Sequence, residues 1–185
     1  MTNSSTNTDM VFLHKQWDQQ LFEHKINNSS LYMMPKPPSG SQFPFFAEYL
    51  SKKKVDVVVS LLSFEEMNSF SLVEEGSECE RHGIEFVNFS IKDHSTPQFF
   101  VPFNQLIENL VYDFKSGKNI AIHCFAGIGR TGIVAASMLI KMGYQVDMAL
   151  IELSQARGLK MPETIEQISW LHRYAEDLQN QSQGL

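Results

Sequence analysis

The chain has 185 residues, 43% hydrophobic and 19% charged, with a formal net charge of -6. A chain of this size buries roughly 70% of its unfolded surface, so one domain can hold together without disulfides or metal. The composition excludes a disordered chain, a collagen-like repeat and a disulfide scaffold. A pI near 5.5 speaks against a nucleic-acid partner but leaves room for an anionic substrate at a locally positive site.

Residues 1–9 are Ser/Thr/Asn-rich without charge or apolar run ahead of Asp9, and read as a disordered tail rather than a secretory signal. Residues 10–30 lack a clear period and are expected to form an arm. The main domain is expected over 31–180, with 181–185 as a second tail. Residues 31–34 suit a short strand, and Pro35, Pro37, Pro38 and Gly40 punctuate a loop. Phe45, Phe46, Tyr49 and Leu50 predict a helix ending at the cations Lys52, Lys53 and Lys54. The β-branched run 55–62 reads as a strand buried on both faces. Ser63 and Glu66 form a capping box; Gly76 interrupts the helix that follows, and Ser77 with Glu80 offers a second box. Residues 84–91 alternate and predict a second central strand. Phe103, Leu106, Ile107, Leu110, Val111 and Phe114 mark one face of a helix closed by Gly117. Residues 119–124 are a third strand, 133–142 a buried helix, and 146–155 and 163–179 further helices. Strands alternating with helices predict an α/β fold with a mostly parallel sheet flanked by helices.

The run 120–140 is apolar enough to imitate a membrane span, but Arg130 at its centre costs about 2.5–3.5 kcal/mol on insertion, so no membrane insertion is expected. Only Cys79 and Cys124 are present, which points to a reducing, cytoplasmic setting.

The informative stretch is His123-Cys124-Phe125-Ala126-Gly127-Ile128-Gly129-Arg130-Thr131-Gly132. It follows a predicted strand and opens a predicted helix. Free amide N–H groups of the loop and helix start, with Arg130 beside them, are expected to bring the Cys124 thiol into the roughly 3.5–7.5 range seen at such positions. Glycines let the backbone approach a ligand closely, and the resulting nest fits a tetrahedral oxyanion. Arg130 can grip two oxygens through its planar fork. A nucleophile at the floor of a phosphate cradle implies phosphoryl transfer to sulfur. A lone cysteine at a strand end is ordinarily a small hydrophobe; the accompanying Arg130, Gly127 and Gly129 favour catalysis here.

Gly127-x-Gly129-x-x-Gly132 also matches the dinucleotide-binding fingerprint, with Glu152 spaced as a ribose-binding acid. An arginine inside the turn opposes that reading. So do the 53 residues after Gly132, which read as helices and leave no room for the other half of such a sheet.

His-Cys-x5-Arg-Thr resembles the signature loop of the cysteine-dependent protein tyrosine and dual-specificity phosphatases, and the resemblance runs from about residue 31 to 178. The segments 91–97 and 163–167 are similar to the small atypical dual-specificity members, and 157–178 to the branch associated with cyclin-dependent kinases. The resemblance implies a monomeric phosphatase of phosphotyrosine and phosphoserine/phosphothreonine, working through a cysteinyl-phosphate without cofactor or metal. Its partner would be a phosphoprotein, a protein kinase being one candidate. Phosphoinositide or RNA 5′-phosphate substrates are alternatives, as is a silent phosphopeptide-binding module, which the intact Cys124 and Arg130 oppose.

The resemblance also assigns roles. Asp93, 31 positions before Cys124, is the expected general acid; the rival Asp113 falls inside a helix. Thr131 is expected to stabilise the departing thiolate, His123 to orient the loop, and Gln167 to place the hydrolytic water. Cys79, in Glu78-Cys79-Glu80-Arg81-His82, is a candidate redox partner for Cys124; a buried helix cysteine is the alternative.

Overall fold

The computed structural model describes residues 3–183. In chain order they form α1 (Asn3–Asp18), β1 (Phe22–Ile26), β2 (Ser29–Met34), α2 (Phe43–Lys52), β3 (Val57–Ser60), α3 (Phe64–Ser69), α4 (Glu75–Arg81), β4 (Glu85–Asn88), α5 (Phe100–Lys115), β5 (Ile120–His123), α6 (Gly129–Lys141), α7 (Val146–Arg157) and α8 (Ile165–Gln183). The sheet order is β1-β2-β5-β3-β4. Only β1 is antiparallel to its neighbour. This is the expected α/β fold.

β5 is the middle strand because it pairs with β2 and β3 at once, Ile120 standing opposite both Leu31 and Val57. Its all-apolar stretch is therefore covered on both faces. One face carries α5, α6, α7 and α8 around Ile120, Ile122, Leu139 and Tyr174; the other carries α2 and α4 around Val58, Phe46, Leu50 and Ala121. α6 lies between α5, α7 and α8, which explains its apolar surface all round. No described helix is long and apolar enough to cross a membrane.

The structure corrects several expectations. The strand at 84–91 is not central: β4 pairs with β3 alone and forms an edge. The capping box at Ser63 and Glu66 is present. The one at Ser77 and Glu80 is not, because α4 has already begun at Glu75 and the Ser77 hydroxyl donates to the Glu74 carbonyl (3.0 Å). Gly76 does not interrupt a helix but lies within one. A Cβ there would come 2.8 Å from the Phe86 ring, so its bareness lets α4 close onto β4. The segment read as tail and arm, 1–30, holds α1 from Asn3 onward and then β1, joined to β2 through Asn27 at φ +54° and Asn28. α1 is held by Trp17, edge-on to Phe46 at 5.3 Å, and by Asp18, which accepts from the Tyr49 hydroxyl. At the other end α8 runs through 181–183, and 184–185 lie outside the described residues.

Candidate active site

Parallel register carries the C-terminal ends of β3 and β5 to one edge: Ser60 stands opposite His123, and Leu61 N–H donates to the His123 carbonyl (3.0 Å). The chain after β4 joins them, with Ile91 N–H donating to the Leu61 carbonyl (3.2 Å). The segments 61–66, 91–97 and 124–130 therefore meet at one place, where ligands bind in open α/β sheets.

The loop after β5 curls through Gly127 at φ +68°. A Cβ at Gly127 would lie 2.7 Å from Pro35 N and overlap the Met34 carbonyl, so glycine is required for both conformation and space. Cys124 lies at the loop's floor, 3% exposed, and its sulfur accepts the Gly127 N–H at 3.3 Å. Phe125, Ala126 and Ile128 complete the loop up to Gly129, where α6 begins.

Arg130, on the first turn of α6, is 1% exposed. Its Nη1 donates to Glu66 Oε2 (2.8 Å) and the Ile91 carbonyl (3.1 Å), its Nη2 to Glu66 Oε1 (3.0 Å), and Asp93 Oδ1 lies 2.9 Å from the same Nη2. Burial works against the Arg130 charge, but Glu66, Cys124 and Asp93 outweigh it and raise the guanidinium above its ordinary value. Asp93 reaches this position through a turn in which Ser95 N–H donates to the Lys92 carbonyl (3.0 Å) and His94 takes φ +53°. Asp113, by contrast, pairs with Lys118 at 3.0 Å.

His123 is fully buried. Its Nε2 lies 2.8 Å from Glu75 Oε1 and its Nδ1 3.3 Å from the Cys124 carbonyl. The imidazole thus joins the strand end to α4. The Thr131 hydroxyl is buried without a hydrogen-bond partner among the described residues.

Gln167 is buried rather than on the helix surface. Its Oε1 accepts Thr164 N–H (3.3 Å) while its N–H donates to Thr164 Oγ1 (3.2 Å), a capping box for α8. Its Nε2 donates to the Ser95 carbonyl (3.2 Å), tying α8 to the Asp93 loop and leaving one amide hydrogen for a water. A Cβ on Gly129 would approach that nitrogen to 3.0 Å, so Gln167 borders the loop.

Cys79 is free and buried in the cluster with Phe46, Leu50 and Ala121, whereas Cys124 belongs to the cluster on the other face. Burial first, then Glu75, Glu78 and Glu80, push the Cys79 thiol up to about 12. It is protonated at neutral pH and a poor partner for an oxidised sulfur.

Three contributors escaped the sequence reading. Glu66 looked like a cap alone, and it is a cap that also holds Arg130. Glu75 was not singled out, and it is buried against His123. Arg157 lay outside the helix expected over 146–155; α7 runs two residues past that end, and Arg157 bonds the loop carbonyls.

A family described as "polymorphic toxin system, DSP-PTPase phosphatase" matches residues 39–144, more than half of the chain. The chain belongs to this DSP-PTPase family. The DSP-PTPase match spans α2 to the end of α6 and so includes Asp93, Cys124 and Arg130. Cyclin-dependent kinase inhibitor 3 of Rattus norvegicus is 29% identical over 101 residues, covering 54% of this chain and 47% of that protein. Putative tyrosine phosphatase 067L of Invertebrate iridescent virus 3 is 27% identical over 106 residues, 50% of this chain and 44% of that one. The chain thus matches about half the length of these curated relatives. A structure of kinase associated phosphatase with its catalytic cysteine replaced by serine superposes with TM-score 0.73 at 21% identity, covering 80% of this chain and 87% of that one. PTPMT1 in complex with PI(5)P gives 0.70 at 14%, covering 87% and 99%. At these identities the two structures speak for the DSP-PTPase fold.

Proposed function

We propose that the chain is a phosphomonoester hydrolase that removes phosphate from phosphotyrosine and phosphoserine/phosphothreonine of proteins through a cysteinyl-phosphate. One observation carries this reading: the Cys124 sulfur lies under the Gly127 amide at 3.3 Å, while Arg130 and Asp93 meet at 2.9 Å above the same strand edge. The Cys124 thiolate attacks phosphorus, the P–O ester bond breaks, and loop amides with Arg130 stabilise the equatorial oxygens. A phosphoryl oxygen and Asp93 compete for the Arg130 Nη2 hydrogens. Substrate binding therefore releases Asp93, which in its protonated form gives its proton to the leaving oxygen. The resulting carboxylate then takes a proton from water as that water attacks phosphorus and the S–P bond breaks. Thr131 donates to the departing sulfur, and the Gln167 amide hydrogen steadies the water.

Phe125 and Ile128 are apolar where they border the phosphate, which favours a protein substrate over an inositol headgroup. The names of the kinase-related relatives make a phosphorylated protein kinase the first substrate to try. The test is an assay across phosphopeptides, phosphoinositides and RNA 5′-phosphates, with EDTA present. Cys124→Ser should abolish turnover yet still bind tungstate, and Asp93→Ala should lower kcat by roughly 10²–10⁴-fold with little change in affinity. Full turnover by Cys124→Ser, or loss of activity in EDTA, would overturn the mechanism; a phosphoinositide preference would overturn the substrate class.

A further inference from the structure

We infer that Arg157 is a positioning residue for the phosphate loop: it holds the loop's carbonyls outward so that its amides face the phosphoryl group. The inference rests on the reading of that loop as the phosphate cradle.

The C=O and N–H of one peptide plane point in opposite directions. Three consecutive planes of the loop have their carbonyls tied on the outside. Lys36 N–H holds the Phe125 carbonyl (2.9 Å), Arg157 Nη2 the Ala126 carbonyl (3.2 Å) and Arg157 Nε the Gly127 carbonyl (3.2 Å). The corresponding N–H groups of Ala126, Gly127 and Ile128 must then turn to the inside. The Gly127 N–H shows it, since it meets the Cys124 sulfur while the carbonyl of the same plane sits on Arg157. A planar fork can hold two successive carbonyls at once, and a lysine ammonium cannot do so in fixed geometry.

Arg157 itself is seated firmly. It is the last residue of α7, whose chain turns away at Gly158 with φ +74°, and its guanidinium lies 3.8 Å above the Phe22 ring of β1. Burial lowers its pKa and the charge of Cys124 opposes that, so the cation and the nucleophile sense one another. The N-terminal hairpin, which supplies no residue to the site, is thereby coupled to it through one ring and one guanidinium.

Arg157→Met and Arg157→Lys are compared with the parent chain in tungstate affinity by calorimetry, in aryl-phosphate kinetics and in thermal midpoint. Misoriented amides should weaken tungstate binding and lower kcat/KM by about ten- to a hundredfold in Arg157→Met, with Arg157→Lys close to Met. Free guanidinium ion at millimolar concentration should recover part of the loss in Arg157→Ala. A lower midpoint with tungstate affinity and kcat/KM within about twofold of the parent would overturn the inference, as would full activity in Arg157→Lys. Should Arg157→Met fail to fold, Phe22→Leu, which removes the seat and keeps the fork, should show a smaller loss in the same direction; an unchanged Phe22→Leu would then overturn it. A parent chain that binds tungstate in an Arg157-dependent way but hydrolyses no phosphomonoester would refute the proposed function and leave this inference standing.

Discussion

Glu66 is one carboxylate serving two structures, and removing it should cost more than removing a cap. Its Oε2 accepts both the Ser63 N–H (2.9 Å) and Arg130 Nη1 (2.8 Å), and its Oε1 accepts Arg130 Nη2 (3.0 Å). Breaking a buried ion pair costs about 3–5 kcal/mol. Glu66 keeps 23% of its side chain exposed. Asp93 and the Ile91 carbonyl stay on the guanidinium, so about 2–3 kcal/mol is the reasonable share here. The lost cap adds about 1 kcal/mol. For a chain this long each kcal/mol moves Tm by about 2–4 °C. Glu66→Ala should therefore melt about 10 °C lower. Ser63→Ala, which loses only the other half of the cap, should fall by about 3 °C. In kinetics, Glu66→Ala should raise KM for an aryl phosphate, because Arg130 then loses its bidentate partner and keeps Asp93 and the Ile91 carbonyl; Ser63→Ala should not. Circular dichroism melts and steady-state rates on the three proteins decide it. Equal melting points for the two variants would show that the Arg130 bridge contributes nothing to stability and refute the reasoning.

Gly127→Ala faces about 1–2 kcal/mol for positive φ and an overlap with the Met34–Pro35 backbone, so the loop must shift. Tungstate binding by calorimetry should disappear along with activity; retained binding would contradict the tight fit. Asp18 is lowered by Lys53 first and Tyr49 second, so its contribution exists above the unfolded value near pH ~4 and fades as pH falls through the folded one. Asp18→Asn should accordingly be less stable at pH 7 and match the parent protein near pH ~2 in a melt series, and a constant gap at all pH would exclude the ion pair as its source. Cys79, held at about 12, should resist iodoacetamide at pH ~8 while Cys124 reacts. Mass spectrometry after mild peroxide should find oxidised Cys124 without a bridge to Cys79, and a bridge would disprove the account of Cys79.

Much of this molecule is written in local chemistry. The strand-loop-helix around Cys124, the capping box at Ser63 and the buried character of α6 follow from short-range rules: glycine for positive φ, a side chain for orphan amides, apolar residues for a covered face. Asp93 was singled out through the family resemblance, 31 positions before Cys124, and the parallel sheet brings its loop to the same edge. What the residues could not disclose is which distant side chains arrive there. Glu66, Glu75 and Arg157 lie 64, 48 and 33 positions from Arg130, His123 and Cys124 in the chain. Each has the unremarkable look of a solvated charge. β4 read as central because apolar alternation reports burial and not the number of neighbours a strand has. The cysteine and loop that we propose as nucleophile and cradle are thus contained in a single short stretch of sequence. The carboxylates and guanidinium that orient them became visible only when the sheet brought separate segments together, because a charge gains its role from the opposite charge or carbonyl it is buried against.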